Sequence, residues 1–498
     1  MRTQVLVVGA GPVGLALAAE LRLGGASVIV LERRNTPSTE SRASTLHART
    51  MELFDHRGLV ELLGSPPNDR MGHFGGIPLD LVAEPTAYPG QWKVPQTQVE
   101  AMLGRRARRL GADVRHGCEV TGLDDVGDRV RVTFDDGDGE TVIVAEYVVG
   151  CDGEESTVRA LAGFESAGHG ATRQMLRADV AEITIANRRF ERFPGGLVIA
   201  ARRGDGLTRV MVHEHEQRMF GGRCDFASVA DAWRRVVGED ISMGRPVWVN
   251  AFGNTSRQVT AYRRDRVLLA GDAAHQQMPV GGQALNLGLQ DAFNLGWKLA
   301  AQVSGAAPPG LLDSYHRERH EVGRQVLDNI EAQTLLLLGG EDVEPVRAIV
   351  RELLSHRSAR AHLANAITGL GIRYRLGADA WAGRRMPHTV LNLGDAYAST
   401  TELARSGRGL LLDLSADPSR RALLADIASR WRGRVDLVSQ VTPPAEPARL
   451  PETVVIRPDG YIAWAGDRRA DPQVALRQWF GSYSSAEMTG RVQTAPAR

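Results

Sequence analysis

Two short apolar runs near the start of the chain set its pattern. Val5-Leu-Val-Val8 stops at glycines, Gly9, Gly11 and Gly14, and passes into a helical pattern, while Val28-Ile-Val-Leu31 ends on an acid, Glu32. Strand, glycine turn, helix and an acid about 20 residues on make up a dinucleotide fingerprint in its proper context. The glycines allow a tight turn and close approach of backbone to a pyrophosphate, with Pro12 and Val13 in the same turn. The helix N-terminus brings partial positive charge, and Glu32 can accept hydrogen bonds from a ribose diol.

Two later apolar segments each deliver an aspartate to a strand end, where open α/β sheets place ligands. They are Glu146-Tyr-Val-Val-Gly150-Cys-Asp152 and Arg266-Val-Leu-Leu-Ala-Gly271-Asp272. The second continues through His275 and Met278-Pro279-Val-Gly281-Gly282-Gln283-Ala284-Leu285-Asn286 into a helical pattern past Asp291, Asn294 and Trp297. Between residues 173 and 262 the character changes. Alternation such as Gly206-Leu-Thr-Arg-Val-Met-Val212 predicts antiparallel strands there. A long helix rich in charge and leucine is predicted from about Asp313 to Leu337. Beyond Arg384 the pattern restarts, with strands at Gly409 to Leu414, Arg434 to Val438 and Thr453 to Trp464, the last folding into a hairpin at Asp459-Gly460.

Composition narrows the partners. With 498 residues, 43% of them apolar, the chain can bury several cores and should hold two or three domains. A formal net charge of +1 gives no reason to expect nucleic acid or membrane binding. No signal segment precedes the first strand, and no apolar run reaches the roughly 18 residues a membrane helix needs. A cytoplasmic protein is expected. Cys118, Cys151 and Cys224 are too few and too scattered for a disulfide framework or a zinc site, so they are expected to be reduced and structural, with no metal. There is no CxxC, no Ser/His/Asp triad and no second GxGxxG unit for a resident nicotinamide nucleotide.

Taken together, the segments resemble the class A FAD-dependent aromatic hydroxylases, the family with the p-hydroxybenzoate hydroxylase fold, from Met1 to about Trp479. Glu32-Arg33 with Ser41-Arg42-Ala43, Gly72-His-Phe-Gly-Gly-Ile-Pro78, Val94-Pro-Gln96, Pro246 to Phe252 and Leu312-Asp-Ser-Tyr315 to His320 are most similar to the angucycline and anthracycline hydroxylases of aromatic polyketide pathways. The resemblance implies an α/β architecture. A Rossmann-like FAD-binding domain in two parts, 1–172 and 263–383 with the long linking helix, would be interrupted by an antiparallel-sheet substrate domain at 173–262, which residues 73–96 would join. A thioredoxin-like C-terminal domain at 384–484 and a disordered tail at 485–498 would follow. Without a CxxC, the C-terminal domain would serve packing or the contact of a homodimer.

The resemblance also implies noncovalent FAD, transient NADPH, and O2 forming a C4a-hydroperoxyflavin that hydroxylates an electron-rich polycyclic ring. The flavin would carry the chemistry, with no protein residue assigned as catalytic. Baeyer-Villiger insertion, epoxidation or rearrangement would use the same intermediate, and a flavoprotein that mainly binds a pathway intermediate is a third reading. Asp272, beside Gly271, is expected at the ribityl chain or pyrophosphate. The amides from Gly282 through Ala284 and Leu285 to Asn286 should face the pyrimidine edge, with Pro279 beside the ring. Arg42 and Gln96 match diphosphate and ribityl contacts, and Arg33 and Val120 flank the adenosine.

Several positions read two ways. Asp152, before Gly153, Ser156 and Arg159, is a nucleotide contact or the cap of the next turn; His275 is a base or packs near the diphosphate. His73, Phe74, Tyr88, Trp92, Phe220 and Trp248 line an aromatic pocket or pack as core, and Trp297 reads as core. One departure stands out. Where the family commonly has Gly-Gln-Gly-Met-Asn, this chain has Gly282-Gln-Ala-Leu-Asn286. A Cβ at Ala284 perturbs the loop if the backbone there needs positive φ, and is harmless if it is helical.

Overall fold

The computed structural model describes residues 1–37, 43–216, 224–377, 379–441, 450–467 and 469–482. Arg42, Phe220 and the C-terminal tail lie outside the described residues. A parallel sheet runs in the order Val267–Leu269, Glu140–Gly150, Arg2–Val8, Val28–Glu32, Asp113–His116. Glu119–Asp125 and Val130–Asp135 extend it as an antiparallel ladder on Glu140–Gly150. Val5 to Val8 and Val28 to Leu31 are buried throughout, which explains why these strands are unbroken apolar runs. Helices Pro12–Leu23 and Gln283–Val303 cross closely against the sheet, and a Cβ at Gly296 would come within 2.4 Å of Glu20 Cβ.

Five antiparallel strands form the inserted sheet, in the order Arg188–Phe193, Gly196–Arg202, Thr208–Glu214, Gln174–Ala181, Arg245–Gly253. Their period of two divides the faces. Leu176, Ala178, Val180, Val210 and Val212 pack on Trp233 of helix Phe226–Val237, and Arg177, Arg209 and Met211, at the intervening positions, line a cavity.

Residues 73–96 do not join this sheet by backbone pairing. Among the described residues Met71–Phe74 and Ile77–Asp80 pair only with each other, and Gln91–Lys93 pairs with Thr45–His47 and Asn68–Asp69. The hairpin's apolar positions Phe74, Ile77, Leu79 and Leu81 find their partners instead in Leu336 of helix Asp313–Leu338 and in Leu354, Ala364 and Ile367. Contact with the sheet is made by side chains, with the His73 and Phe190 ring centroids 4.1 Å apart.

In the C-terminal region Gly409–Asp413 pairs parallel with Val435–Ser439 and antiparallel with Thr453–Ile456, which pairs with Ile462–Gly466. Helices Pro418–Ser429 and Gln473–Phe480 cover this sheet, giving the thioredoxin-like arrangement around Leu411, Trp431 and Leu476. Its Asp459-Gly460 turn is plugged into the rest of the molecule. Arg49 donates to Asp459 O at 2.7 Å, Arg57 to Pro458 O at 2.9 Å and Asn294 to Asp459 Oδ2 at 3.2 Å. Arg457 donates from Nη1 and Nη2 to the two oxygens of Glu318, both at 2.8 Å, and Lys298 donates to the same carboxylate at 2.9 Å. Every charge in this buried knot has a partner, as burial requires. All three cysteines are free. Among the described residues no His, Cys, Asp and Glu group could hold a metal, and no helix is long and apolar enough to cross a membrane.

Candidate functional site

The three fingerprint glycines are glycine for three different reasons. Gly9 has φ +103°, and a Cβ there would meet Cys151 O at 2.4 Å, so the first strand turns tightly over the end of Glu140–Gly150. A Cβ at Gly14 would lie 2.0 Å from Gly9 O, which fixes the helix against the turn. A Cβ at Gly11 would meet no atom within 4 Å. Helix Pro12–Leu23 begins at Gly11 with no side-chain cap, so the open space lies at an uncapped helix start. The combination of uncapped amides, positive helix end and room for a bulky anion fits a pyrophosphate.

Glu32 ends the second strand beside this turn. Its Oε2 accepts from Ala10 N at 2.9 Å and its Oε1 from Arg34 N and Nε, both at 3.0 Å. Burial alone would raise the carboxyl pKa, but these donors and the Arg34 charge outweigh it and hold it below its ordinary value. Oε2 keeps one acceptor lone pair. Arg33, next to it, is exposed, while Val120 is packed in the core. Gln96 opens helix Gln96–Arg109, accepting from Ala43 N at 3.2 Å and donating to Glu100 at 2.8 Å.

Asp152 is engaged in a cap. Its Oδ1 accepts from Ser156 Oγ at 2.5 Å and its Oδ2 from Val158 N at 3.0 Å, while Ser156 Oγ accepts from Arg159 N at 3.0 Å. Burial raises the Asp152 pKa. Arg159 donates onward to Ala273 O at 3.1 Å, tying the two strand ends together. At the second strand end Gly271 N donates to Asp291 Oδ2 at 3.1 Å, and His275 Nε2 lies 2.7 Å from the same oxygen. Arg319 Nε donates to Asp291 Oδ1 at 2.6 Å. His275 is fully buried among these groups. Asp272, one residue on from Gly271, is exposed.

The loop from Met278 to Gln283 places its positive φ on glycines, +65° at Gly281 and +69° at Gly282. Ala284 lies in the first turn of helix Gln283–Val303, where alanine is favourable, so its methyl strains nothing in the backbone. Asn286 fastens the loop: its Nδ2 donates to Gly282 O at 2.7 Å and Thr45 O at 3.0 Å, and its Oδ1 accepts from His47 N at 2.8 Å.

Between this loop and the inserted sheet lies a cavity of about 600 Å³. Pro279, Gly282, Ala284 and Leu285 line it from the loop, and Arg177, Ile199, Arg209, Met211 and Phe252 from the sheet. Of the aromatic candidates among the described residues, only His73 lines it. Phe74 is buried beside Leu336, Tyr88 and Trp92 meet edge to face and pack against the main core, and Trp248 lies under the Arg177 guanidinium at 4.4 Å. Phe190 and Phe252, which the sequence reading did not single out, also line the cavity. Phe190 sits at a register break with φ +52°, which no sequence rule for an aromatic residue predicts. His47 and His73 are both pushed down to about 4, first by burial and then by neighbouring cations. Burial and the Arg189 charge also press the Lys93 ammonium below its ordinary value, against the pull of Asp69. His47, Asp291 and Arg319 escaped the sequence reading because each acts through tertiary contacts and carries no local motif.

Comparison with known proteins gives a consistent picture. A family model described as FAD binding domain matches residues 2–330, and one described as aromatic-ring hydroxylase, C-terminal, matches residues 379–482. Rifampicin monooxygenase of Streptomyces venezuelae is 39% identical, with 96% of this chain and 98% of that protein covered. The 12-dehydrotetracycline 5-monooxygenase/anhydrotetracycline 6-monooxygenase of Streptomyces rimosus is also 39% identical, with 97% and 99% covered. Among solved structures, CabE, an aromatic hydroxylase from angucycline biosynthesis, is 45% identical with a TM-score of 0.92, covering 97% of this chain and 100% of that one.

Proposed function

The chain belongs to the FAD-dependent aromatic-ring hydroxylases, and from that premise we propose that it hydroxylates a polycyclic aromatic polyketide in natural-product biosynthesis, consuming NADPH and O2 in the cytoplasm. The observation that carries this reading is the 600 Å³ cavity closed on one side by the Pro279–Leu285 loop and on the other by the inserted sheet. Its size lies in the range of small-molecule sites, and it lies between a sheet face that mixes arginines with apolar side chains and the proposed cofactor loop. The compounds named in the relatives' descriptions, tetracyclines, rifampicin and an angucycline, are of the same broad kind.

Bound FAD would supply hydride acceptance and oxygen activation, leaving positioning and water exclusion to the protein. The open space at Gly11 and the uncapped amides of helix Pro12–Leu23 would take the pyrophosphate, and Glu32 Oε2 a ribose hydroxyl. Asp272 would meet the ribityl chain or pyrophosphate. The amides entering helix Gln283–Val303 would face the pyrimidine edge of the ring, where the positive helix end favours negative charge. Met175, Met211, Phe252, Met278 and Leu285 would exclude water from the reacting face. Gln96 would reach the ribityl or diphosphate groups, and Pro279 would lie beside the ring. The test is to supply purified holoenzyme with NADPH, labelled O2 and a panel of angucyclinones, anthracyclinones and anhydrotetracycline. Ligand-stimulated NADPH oxidation with one labelled oxygen atom in the product is expected. NADPH oxidation that no polycycle stimulates, with no oxygenated product, overturns the reading.

A further inference from the structure

His47 ends the short strand Thr45–His47 and is 1% exposed. Its Nε2 lies 2.8 Å from Gly281 O. A carbonyl oxygen only accepts, so the proton of the neutral ring must be on Nε2. The other nitrogen, Nδ1, is therefore a bare acceptor lone pair. It is buried and has no hydrogen-bond partner among the described residues. The ring lines the cavity together with Gly281, Gly282, Ala284 and Leu285.

Such an acceptor is costly when left alone, because its hydration is lost on burial and nothing replaces it. The other polar groups of this corner are spent. Gly281 O is taken by His47 itself, Gly282 O and Thr45 O by Asn286, and Asn286 Oδ1 by His47 N. With these acceptors engaged, the His47 Nδ1 lone pair is left as an unused acceptor beside the loop. Lys93, the nearby cation, donates to Thr45 Oγ1 and Gln91 Oε1 and leaves Nδ1 alone.

From these relationships we infer that His47 Nδ1 is a ligand-binding acceptor, taking a hydrogen bond from a neutral N–H or O–H donor on the edge of a ring bound in this cavity. His47 is thus a binding residue with two roles, one nitrogen holding the Gly281 loop and the other reading the ligand. The inference rests on the cavity being the flavin and polycycle site proposed above. Two donors share the required chemistry, the imide N–H of the flavin ring and a phenolic hydroxyl of the substrate.

His47→Gln separates the two nitrogens, because its amide reaches the Nε2 position and places nothing at Nδ1. His47→Asn does the reverse. Two probe pairs identify the donor: FAD against N3-methyl-FAD on the flavin-free full chain, and 2,6-dihydroxyanthraquinone, whose hydroxyls have no internal acceptor, against its dimethyl ether on the FAD-loaded protein, each followed by fluorescence or absorbance titration. In the wild type one pair should differ in Kd by about tenfold, the size of one buried hydrogen bond. His47→Gln should bring that ratio near one while still binding FAD, and His47→Asn should restore part of it. A flavin source shows in the first pair and a substrate source in the second. Wild-type ratios near one for both pairs overturn the inference without recourse to any variant, as does a His47→Gln protein that keeps the wild-type ratios. Failure of the wild type to bind FAD at all overturns the proposed function itself, and this inference with it.

Discussion

Arg319 Nε sits 2.6 Å from Asp291 Oδ1, and neither side chain touches solvent. The pair joins the long helix Asp313–Leu338 to helix Gln283–Val303 and, through Asp291 Oδ2, to Gly271 N and His275 at the strand end that delivers Asp272. Burial would raise the Asp291 carboxyl, but the charges of Arg319 and His275 overcome it and hold it below its ordinary value. Removing one partner strands a charge in the core, whereas removing both does not. Arg319→Met should therefore cost about 3–5 kcal/mol of stability and weaken FAD retention, and Arg319→Met with Asp291→Asn should cost less than the single change. Thermal melts of the two variants decide it. A double variant worse than Arg319→Met would show that the pair acts other than by mutual neutralisation.

Gly11 gives a cleaner separation of fold from cofactor. Its φ of −70° suits any residue, and a Cβ there meets no protein atom. Gly11→Val should fold with a melt close to the wild type without FAD, yet purify colourless, because the side chain fills the proposed pyrophosphate space. A yellow Gly11→Val protein carrying a full complement of FAD would move the diphosphate elsewhere.

The parts legible in the sequence are those written locally. Gly9, Gly11 and Gly14 act within one turn, the apolar runs of the parallel sheet are unbroken because both faces are buried, and the Asp459-Gly460 hairpin follows from its turn residues. The cavity was not legible in the same way. Phe74 and His73 are adjacent, yet the strand pleat sends Phe74 to the core beside Leu336 and leaves His73 on the cavity. The fate of such a pair depends on what packs against the hairpin, which is helix Asp313–Leu338, more than 200 residues later. Phe190 and Phe252 were missed for the same reason, and His47 carries no signature beyond ending a short strand.

Ala284, the departure from the family pattern, should be nearly silent. The positive φ values fall on Gly281 and Gly282, and position 284 is helical. Ala284→Gly is expected to lose up to about 1 kcal/mol of stability through helix propensity, with unchanged flavin absorbance and NADPH oxidation coupling. A shifted spectrum or a larger hydrogen peroxide yield would show that the methyl touches the flavin directly, and would favour an oxidation outcome other than plain hydroxylation.

The depressed histidines make an acid-sensitivity prediction. His73 is held near 4 in the folded protein, by burial and by Arg189 and Lys93, against about 6.5 when unfolded. Between these values the unfolded chain binds a proton that the folded one refuses. Stability from this group is complete above about pH 6.5 and is lost as pH falls toward 4, at about 1.4 kcal/mol per pH unit for one proton. His73→Phe should flatten the decline of stability across that window by close to one proton. Urea melts at pH 7 and pH 5 that show the same decline in both proteins would place the His73 ring in contact with water.

The C-terminal domain offers the last prediction. Gly460 has φ +77°, and a Cβ there would meet His56 Cε1 at 2.4 Å and approach the Arg49 guanidinium at 3.3 Å. The turn it closes carries Asp459, whose main-chain oxygen accepts from Arg49 and whose side chain accepts from Asn294 and Arg457. Gly460→Ala thus strains the backbone and wedges the turn out of its socket, leaving Glu318, Asn294 and Arg49 with fewer partners in a buried setting. Helix Gln283–Val303 bears both Asn294 and Ala284, so loosening the socket loosens the far end of the helix that begins under the proposed flavin ring. The variant should melt lower by several kcal/mol equivalent and retain FAD less well, though no mutated atom lies near the cavity. Gly460→Ala melting and holding FAD as the wild type does would mean that the C-terminal domain is merely appended to the catalytic body, and that its buried ionic knot contributes nothing to the cofactor site.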